Sequence, residues 1–491
     1  MTVVRPATVS PPPSNVVPAV RRARLSALTS ALVGNRSKRY TVSKFLALHA
    51  YTSHRTRCRL LSVLLLYPLP VLSIAVLLAQ VPLQDPALGV AHNWGFFVQC
   101  TLGVFVVSVG VMKMALTSVD VPSSMISLLE IAVIAALGTL QGNAALFVLA
   151  SNWRFPVPFS TATVIVPSSL GLAMASVLVL RRRLVGSDPS LRRAIATSGS
   201  TVFLQATQTI VYPALSVLFK GVSEWQQVLL TLALPAIKHV LKRLLRRAGK
   251  RLGEFTEEVA VSGVEIAASL YQTAIMQNAA TRLTTAVIIG VDVLQGLLVL
   301  RLFMDRTRTD TGRPQRELVA AALELLSSKR VREADLPMMG GSFTVETKAG
   351  DVAVVCQALE ITQVAENILL TEYFEVALPV VNGCFLAIVV DSESSRFNPS
   401  LCGLQRHPSQ LKRALENLAL YSVLQGLTVV ILMLIMRRRY RVSPLAQLAF
   451  VLEHHAWSLQ GKLLVWLPTF FFFSIVHFGA KRKSQTQTRV T

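Results

Sequence analysis

The chain has 491 residues, 52% of them hydrophobic and only 15% charged, with a mean hydropathy of +0.52; a soluble domain carries about 25% charged residues. This composition excludes a disordered chain, which is poor in apolar side chains, and leaves too little polar surface for an ordinary soluble enzyme. The net charge of +23, from 49 Lys and Arg against 26 Asp and Glu, points to nucleic acid or to a polytopic membrane protein with basic cytoplasmic loops, and the order of segments decides for the second.

Residues 1–59 hold eleven basic side chains, from Arg5 to Arg59, and no Asp or Glu occurs before Asp85. They are expected to form a basic cytoplasmic tail. The Arg-rich, Ser- and Pro-bearing composition is also that of a mitochondrial transit peptide, which keeps a mitochondrial membrane as the alternative to a plasma or internal membrane. About 20 apolar residues are needed to cross a bilayer core. Eleven stretches approach that length: 60–81, 93–114, 125–150, 159–180, 199–219, 222–241, 259–279, 283–303, 374–390, 417–436 and 463–480. The expected fold is therefore an all-α transmembrane bundle. About eight spans fall in 60–304, and a small cytoplasmic helical segment occupies 305–373. About three further spans fall in 374–480, and a basic tail covers 481–491.

Orientation follows from Lys and Arg in alternate loops. Arg181, Arg182 and Arg183 follow the fourth span, Arg306, Arg308, Arg313 and Arg316 the eighth, and Arg437, Arg438, Arg439 and Arg441 the tenth. The amino terminus is thus expected on the cytoplasmic side. Eleven spans would put Lys481, Arg482 and Lys483 outside. A twelfth crossing through 445–459 would restore parity but would carry Glu453, His454 and His455 into lipid, so ten to twelve spans stay open.

Ionisable groups inside spans are costly and point to function. Glu130, Glu265 and Asp292 fall in the third, seventh and eighth stretches. Glu265, Ser269 and Gln272 share one helix face, as do Asp292 and Gln295. The fifth stretch adds Gln205, Gln208 and Tyr212. Gln205, Gln208, Tyr212, Glu265, Asp292 and Gln295 are the expected lining of a substrate or ion path, with polar interhelical contacts that merely hold a bundle as the alternative. Segment 237–252 is amphipathic. Lys238, Lys242, Arg243, Arg246, Arg247 and Lys250 form its polar face, as expected of a surface helix that attracts anionic lipid.

No nucleotide-binding, hydrolase or metalloprotease motif occurs, so the chain is not expected to be an enzyme. Cys58, Cys100, Cys356, Cys384 and Cys402 show no paired spacing and the only His pair is adjacent in sequence, so neither a metal nor another cofactor is expected. The expected partners are the lipid bilayer and anionic lipids, not nucleic acid. Two functions compete: a transporter or channel-like protein, and a scaffold that recruits lipid or protein through its basic cytoplasmic segments. A cavity reaching Asp292 favours the first. A closed bundle in which Asp292 and Glu265 each meet partners favours the second.

Three longer runs are distinctive: Tyr212-Pro213-Ala214 with Leu234-Pro235-Ala236-Ile237-Lys238; Met276-Gln277-Asn278-Ala279 with Gly290-Val291-Asp292-Val293-Leu294-Gln295; and Gln447-Leu448-Ala449-Phe450-Val451-Leu452-Glu453 with His477-Phe478-Gly479. Together with Arg39-Tyr40-Thr41-Val42 and Val81-Pro82-Leu83-Gln84-Asp85-Pro86, they resemble a large set of polytopic membrane proteins of oomycetes. The resemblance covers nearly the whole chain. It implies the architecture, brings no activity or catalytic residue with it, and favours Asp292 and Gln295 among the polar span residues.

Overall fold

The computed structural model describes residues 40–118, 126–157, 160–185, 221–249, 255–277, 282–306, 314–328 and 346–472, and residues 208, 211, 212, 215, 218, 219, 331 and 475 singly. Among them there is no β-strand: the fold is all-α. The chain begins with α1 (Val42–His54), α2 (Arg57–Leu66) and α3 (Leu69–Ala79), then α4 (Trp94–Ser118), α5 (Leu128–Asn152) and α6 (Ser160–Val185). The central elements are α7 (Glu224–Gly249), α8 (Phe255–Gln277), α9 (Arg282–Arg306) and α10 (Gln315–Ser327). The last part holds α11 (Glu346–Val389), α12 (Pro399–Arg406), α13 (Pro408–Tyr440), α14 (Pro444–His454) and α15 (Ala456–Phe472).

Among the described residues, seven helical segments are long and apolar enough to cross a membrane: Arg57–Ala79, Trp94–Leu116, Leu128–Asn152, Thr163–Leu180, Thr285–Asp305, Gly350–Val389 and Pro408–Tyr440. These correspond to the first four, eighth, ninth and tenth expected spans. Four expected spans fall short for separate reasons. The stretch 199–219 lies mostly outside the described residues. Helices α7 and α8 are interrupted by buried ionic groups, Lys238 and Glu265 among them. Helix α15 is only 17 residues long where its description ends at Phe472. The segment weighed as a twelfth crossing breaks at His455 into α14 and α15, and α14 has only 11 residues, about 16 Å of helix.

The distribution of polarity is that of a protein in lipid. On α9, Leu294, Leu297 and Leu298 face outward, and on α13 Val423, Leu427 and Val430 do the same, while Asp292 of α9 and Tyr421, Ser422 and Gln425 of α13 turn inward. Helix α8 is buried almost all round from 262 to 276, as a helix at the centre of a bundle must be. It packs against α4, α7, α11, α13 and α15.

Small residues let neighbouring helices approach. Gly138 and Gly142 on α5 are four apart, and a Cβ at Gly138 would sit 2.7 Å from the Leu172 side chain on α6. Gly110 on α4 and Gly461 on α15 oppose each other, and a Cβ on Gly110 would lie 2.6 Å from the Gly461 carbonyl oxygen. Such small-residue seams drive association where lipid removes the hydrophobic incentive.

The segment 305–373, expected to be helical, holds two helices among the described residues. Its first helix is present as α10, whose buried Leu318, Ala321, Ala322 and Leu325 follow one face and pack on α11. The second is continuous with the ninth span, giving a single helix of 44 residues, about 66 Å long, twice the bilayer core. The tail expected up to residue 59 is helical from Val42. Lys44 on α1 reaches Glu366 on α11 at 3.0 Å, Tyr40 donates its hydroxyl proton to the same carboxylate, and the Lys44 ammonium lies 4.7 Å above the Tyr40 ring. Residues 1–39 and 476–491 lie outside the described residues.

Candidate functional site

Five helices converge on one buried charged cluster. Helix α7 contributes Lys238 and Lys242, α8 Glu265 and Gln272, α9 Asp292, α11 Glu372 and Glu375, and α13 Tyr421 and Gln425. Helical spacing explains the convergence. Lys238 and Lys242 are four apart and share a face of α7, Glu265 and Gln272 are seven apart on α8, and Tyr421 and Gln425 are four apart on α13.

The cluster has two halves. In the first, Lys238 Nζ lies 3.1 Å from Glu375 Oε1 and 3.3 Å from Glu265 Oε2. The contact with Glu375 is a hydrogen bond; that with Glu265 Oε2 brings the charges together without hydrogen-bond alignment. Lys242 donates to the other oxygen of Glu265. In the second half, Asp292 Oδ2 accepts from the Tyr421 hydroxyl at 2.6 Å, from Gln425 Nε2 at 3.2 Å and from Gln272 Nε2. Both amides also donate to the Tyr421 oxygen, at 3.1 and 3.2 Å. Glu375 and Lys238 are within electrostatic reach of Asp292, so the halves form one unit.

Glu372 is only 6% exposed and within electrostatic reach of groups from both halves, Glu265, Asp292, Glu375 and Lys238. It has no hydrogen-bond or ion-pair partner among the described residues. Among the described residues, two ammonium groups of the cluster thus face four carboxyls. Were all ionised, the cluster would carry a formal charge of −2 inside the bundle, where isolated charge is penalised by many kcal/mol. Nearby, Lys462 on α15 donates to Ser262 on α8 at 2.5 Å, one turn before Glu265.

The residues expected to line a path separate as follows. Glu265 and Asp292 lie in the cluster. Tyr212 is fully buried beside it, stacked on Tyr271 with centroids 5.2 Å apart and within reach of Lys238 and Glu265. Gln208 is fully buried one turn earlier. Gln295 is partly exposed on α9 and makes no bond to the cluster. Gln205 lies outside the described residues. Glu130 has a different job. It is the third residue of α5 and exchanges hydrogen bonds with Ser127 in a capping box, which satisfies backbone donors at a helix start.

The amphipathic segment is placed differently from expectation. Lys238 and Lys242 do not lie on a surface-facing basic stripe: they turn inward, 4% exposed and partly exposed respectively, and are held by Glu265 and Glu375. The physical reason is that the carboxylates of α8 and α11 neutralise them where the apolar neighbours exclude water. Arg243 and Arg247 are exposed. The Arg246 side chain and Lys250 lie outside the described residues.

Tyr421 and Gln425 escape a sequence reading that counts only charges inside spans, and that reading places Glu372 and Glu375 only near the membrane, at the entry to the ninth span. The signal available was the pair of acids three apart, Glu372 and Glu375, at the start of an apolar run, with lysines elsewhere in apolar stretches to match them. No family model, curated protein or solved structure matches the chain.

Proposed function

We propose that this multi-pass membrane protein is a transporter or channel-like protein whose path runs through the buried cluster of α7, α8, α9, α11 and α13. The observation that carries the proposal is the surplus of carboxyls over ammonium groups in that cluster. A bundle held together by polar contacts needs matched partners, and a surplus of buried acid groups is the pattern of proton and cation relays. We also infer from the basic loops that the amino terminus faces the cytoplasm, in a plasma or internal membrane.

A scaffold is the second reading, favoured by one specific observation: Asp292 and Glu265 are each met by partners inside the bundle. In that reading the exposed Arg243 and Arg247 recruit anionic lipid. Purified protein in liposomes decides between them. Under an imposed pH gradient, wild-type protein is expected to move protons or a proton-coupled solute, and Asp292→Asn to reduce the rate at least tenfold. If wild-type protein moves nothing and Asp292→Asn alters only thermal stability, the transport proposal fails and the scaffold stands.

A further inference from the structure

We propose that Glu372 is the proton-carrying carboxyl of the cluster, neutral at rest, so that the ion handled by this site is a proton and not a metal cation. The proposal deepens the transport reading and rests on it for the use to which the proton is put. The four carboxyls are supplied unequally. Glu265 has two lysines, Glu375 has Lys238 at 3.1 Å, and Asp292 Oδ2 has three N–H or O–H donors. All of these stabilise an anion. Glu372 has no hydrogen-bond donor and no ion-pair partner among the described residues, and against the one ammonium within reach, Lys238, stand three carboxyls. A buried carboxyl in that position takes a proton, because the alternative is an uncompensated charge in an apolar bundle.

The same donor set argues against a metal ion. A hard cation needs several oxygen ligands with their lone pairs turned toward it. Here the groups around Asp292 direct hydrogens at the carboxylate, and the groups around Glu265 are ammonium ions. A cation would have to displace these donors, whereas a proton needs one oxygen and no coordination shell.

A second observation extends the site beyond an acidic cluster. Ser269 is 3% exposed, lies on α8 between Glu265 and Gln272 on their shared face, and its hydroxyl has no partner among the described residues. The same holds, among the described residues, for the Tyr212 hydroxyl, fully buried beside Lys238 and Glu265, and for both amide atoms of Gln208. Buried polar atoms are rarely left unsatisfied.

The groups around Glu372 can be named element by element. Helix α7 carries Lys238 and Lys242, α8 Glu265 and Tyr271, α9 Asp292, and α13 Tyr421. On α11 itself stand Tyr373, Glu375 and, six residues earlier, Glu366, which is held by Lys44 of α1. Helix α3 has no titratable side chain. Helices α10 and α14 carry Arg316, Glu317, Glu324, Glu453 and His454, with Glu453 paired to Arg59.

Infrared difference spectroscopy of the full-length protein in lipid nanodiscs tests this directly, because it reads a protonated carboxyl whether or not anything is transported. Wild-type protein at neutral pH is expected to show a deuterium-sensitive carboxylic-acid C=O band that Glu372→Gln abolishes, Glu375→Gln retains and Glu372→Asp shifts. Glu372→Asp decides the matter if Glu372→Gln does not fold. A band that survives both substitutions at position 372, no such band in wild-type protein, or loss of the band on adding sodium or calcium at constant pH would overturn the proposal. A band lost in Glu372→Gln with no flux in wild-type liposomes would leave the proton site standing and remove transport. Flux with an unaltered band would do the reverse.

Discussion

Lys238 is the residue on which the cluster turns, since it touches both Glu265 and Glu375. Removing one partner of a buried ion pair leaves an unpaired charge and costs about 3–5 kcal/mol, far more than the pair adds over an apolar substitute. Lys238→Met is therefore expected to destabilise the protein by about that amount. Lys238→Met with Glu375→Gln recovers part of the loss, because Glu265 keeps Lys242. Thermal unfolding in detergent reads both. A single variant as stable as wild type would show that the ammonium does not hold the cluster. The hydrogen bonds around Asp292 are a smaller matter for stability: polar contacts between membrane helices average about 0.6 kcal/mol each. Charge, more than hydrogen bonding, sets the energetics of the site.

At the scale of elements, the helices are placed by two kinds of contact. The ionic cluster joins α7, α8, α9, α11 and α13, while glycine seams join α5 to α6 and α4 to α15. A large side chain in a seam must push backbones apart. Gly142→Leu meets the Val164 carbonyl oxygen, 2.8 Å from where its Cβ would stand, and is expected to lower the unfolding temperature strongly. Gly103→Leu on α4 meets nothing within 4 Å and is expected to behave as wild type. Equal stability of the two variants would contradict the seam. Much at this scale was legible in the sequence. Run length alone marks the spans that became α4, α5, α6, α9 and α13, and the amphipathic pattern of α10 is visible in its leucines and alanines. The orientation of α7 was not. Periodicity shows that Lys238 and Lys242 share a face, but whether that face meets lipid heads or carboxylates depends on α8 and α11, which lie at distant positions in the chain. For the same reason Glu265 and Asp292 could be singled out as buried ionisable groups, whereas Tyr421 and Gln425, and the meeting of Glu372 with them, emerged only when the fold brought them together.

For the whole molecule, the account rests on polarity reversed relative to a soluble protein: charge at the centre, leucine and valine outside. Leu294, two residues after Asp292, is 68% exposed, and Val423, two after Tyr421, is 69% exposed. Both should face lipid at the depth of the cluster. Lys412 stands exposed near the start of α13, 11 residues before Val423 and so about 16 Å away along the helix, roughly half the bilayer core. The most direct measurement is spin-label accessibility in proteoliposomes, with single cysteines at 294, 412 and 423 in a background where the five native cysteines are replaced. Labels at 294 and 423 are expected to collide readily with oxygen and to be shielded from a water-soluble nickel complex, with the reverse at 412. Labels at 294 and 423 as open to the nickel complex as the one at 412 would show that the charged cluster does not lie at the middle of the membrane, and would contradict the account.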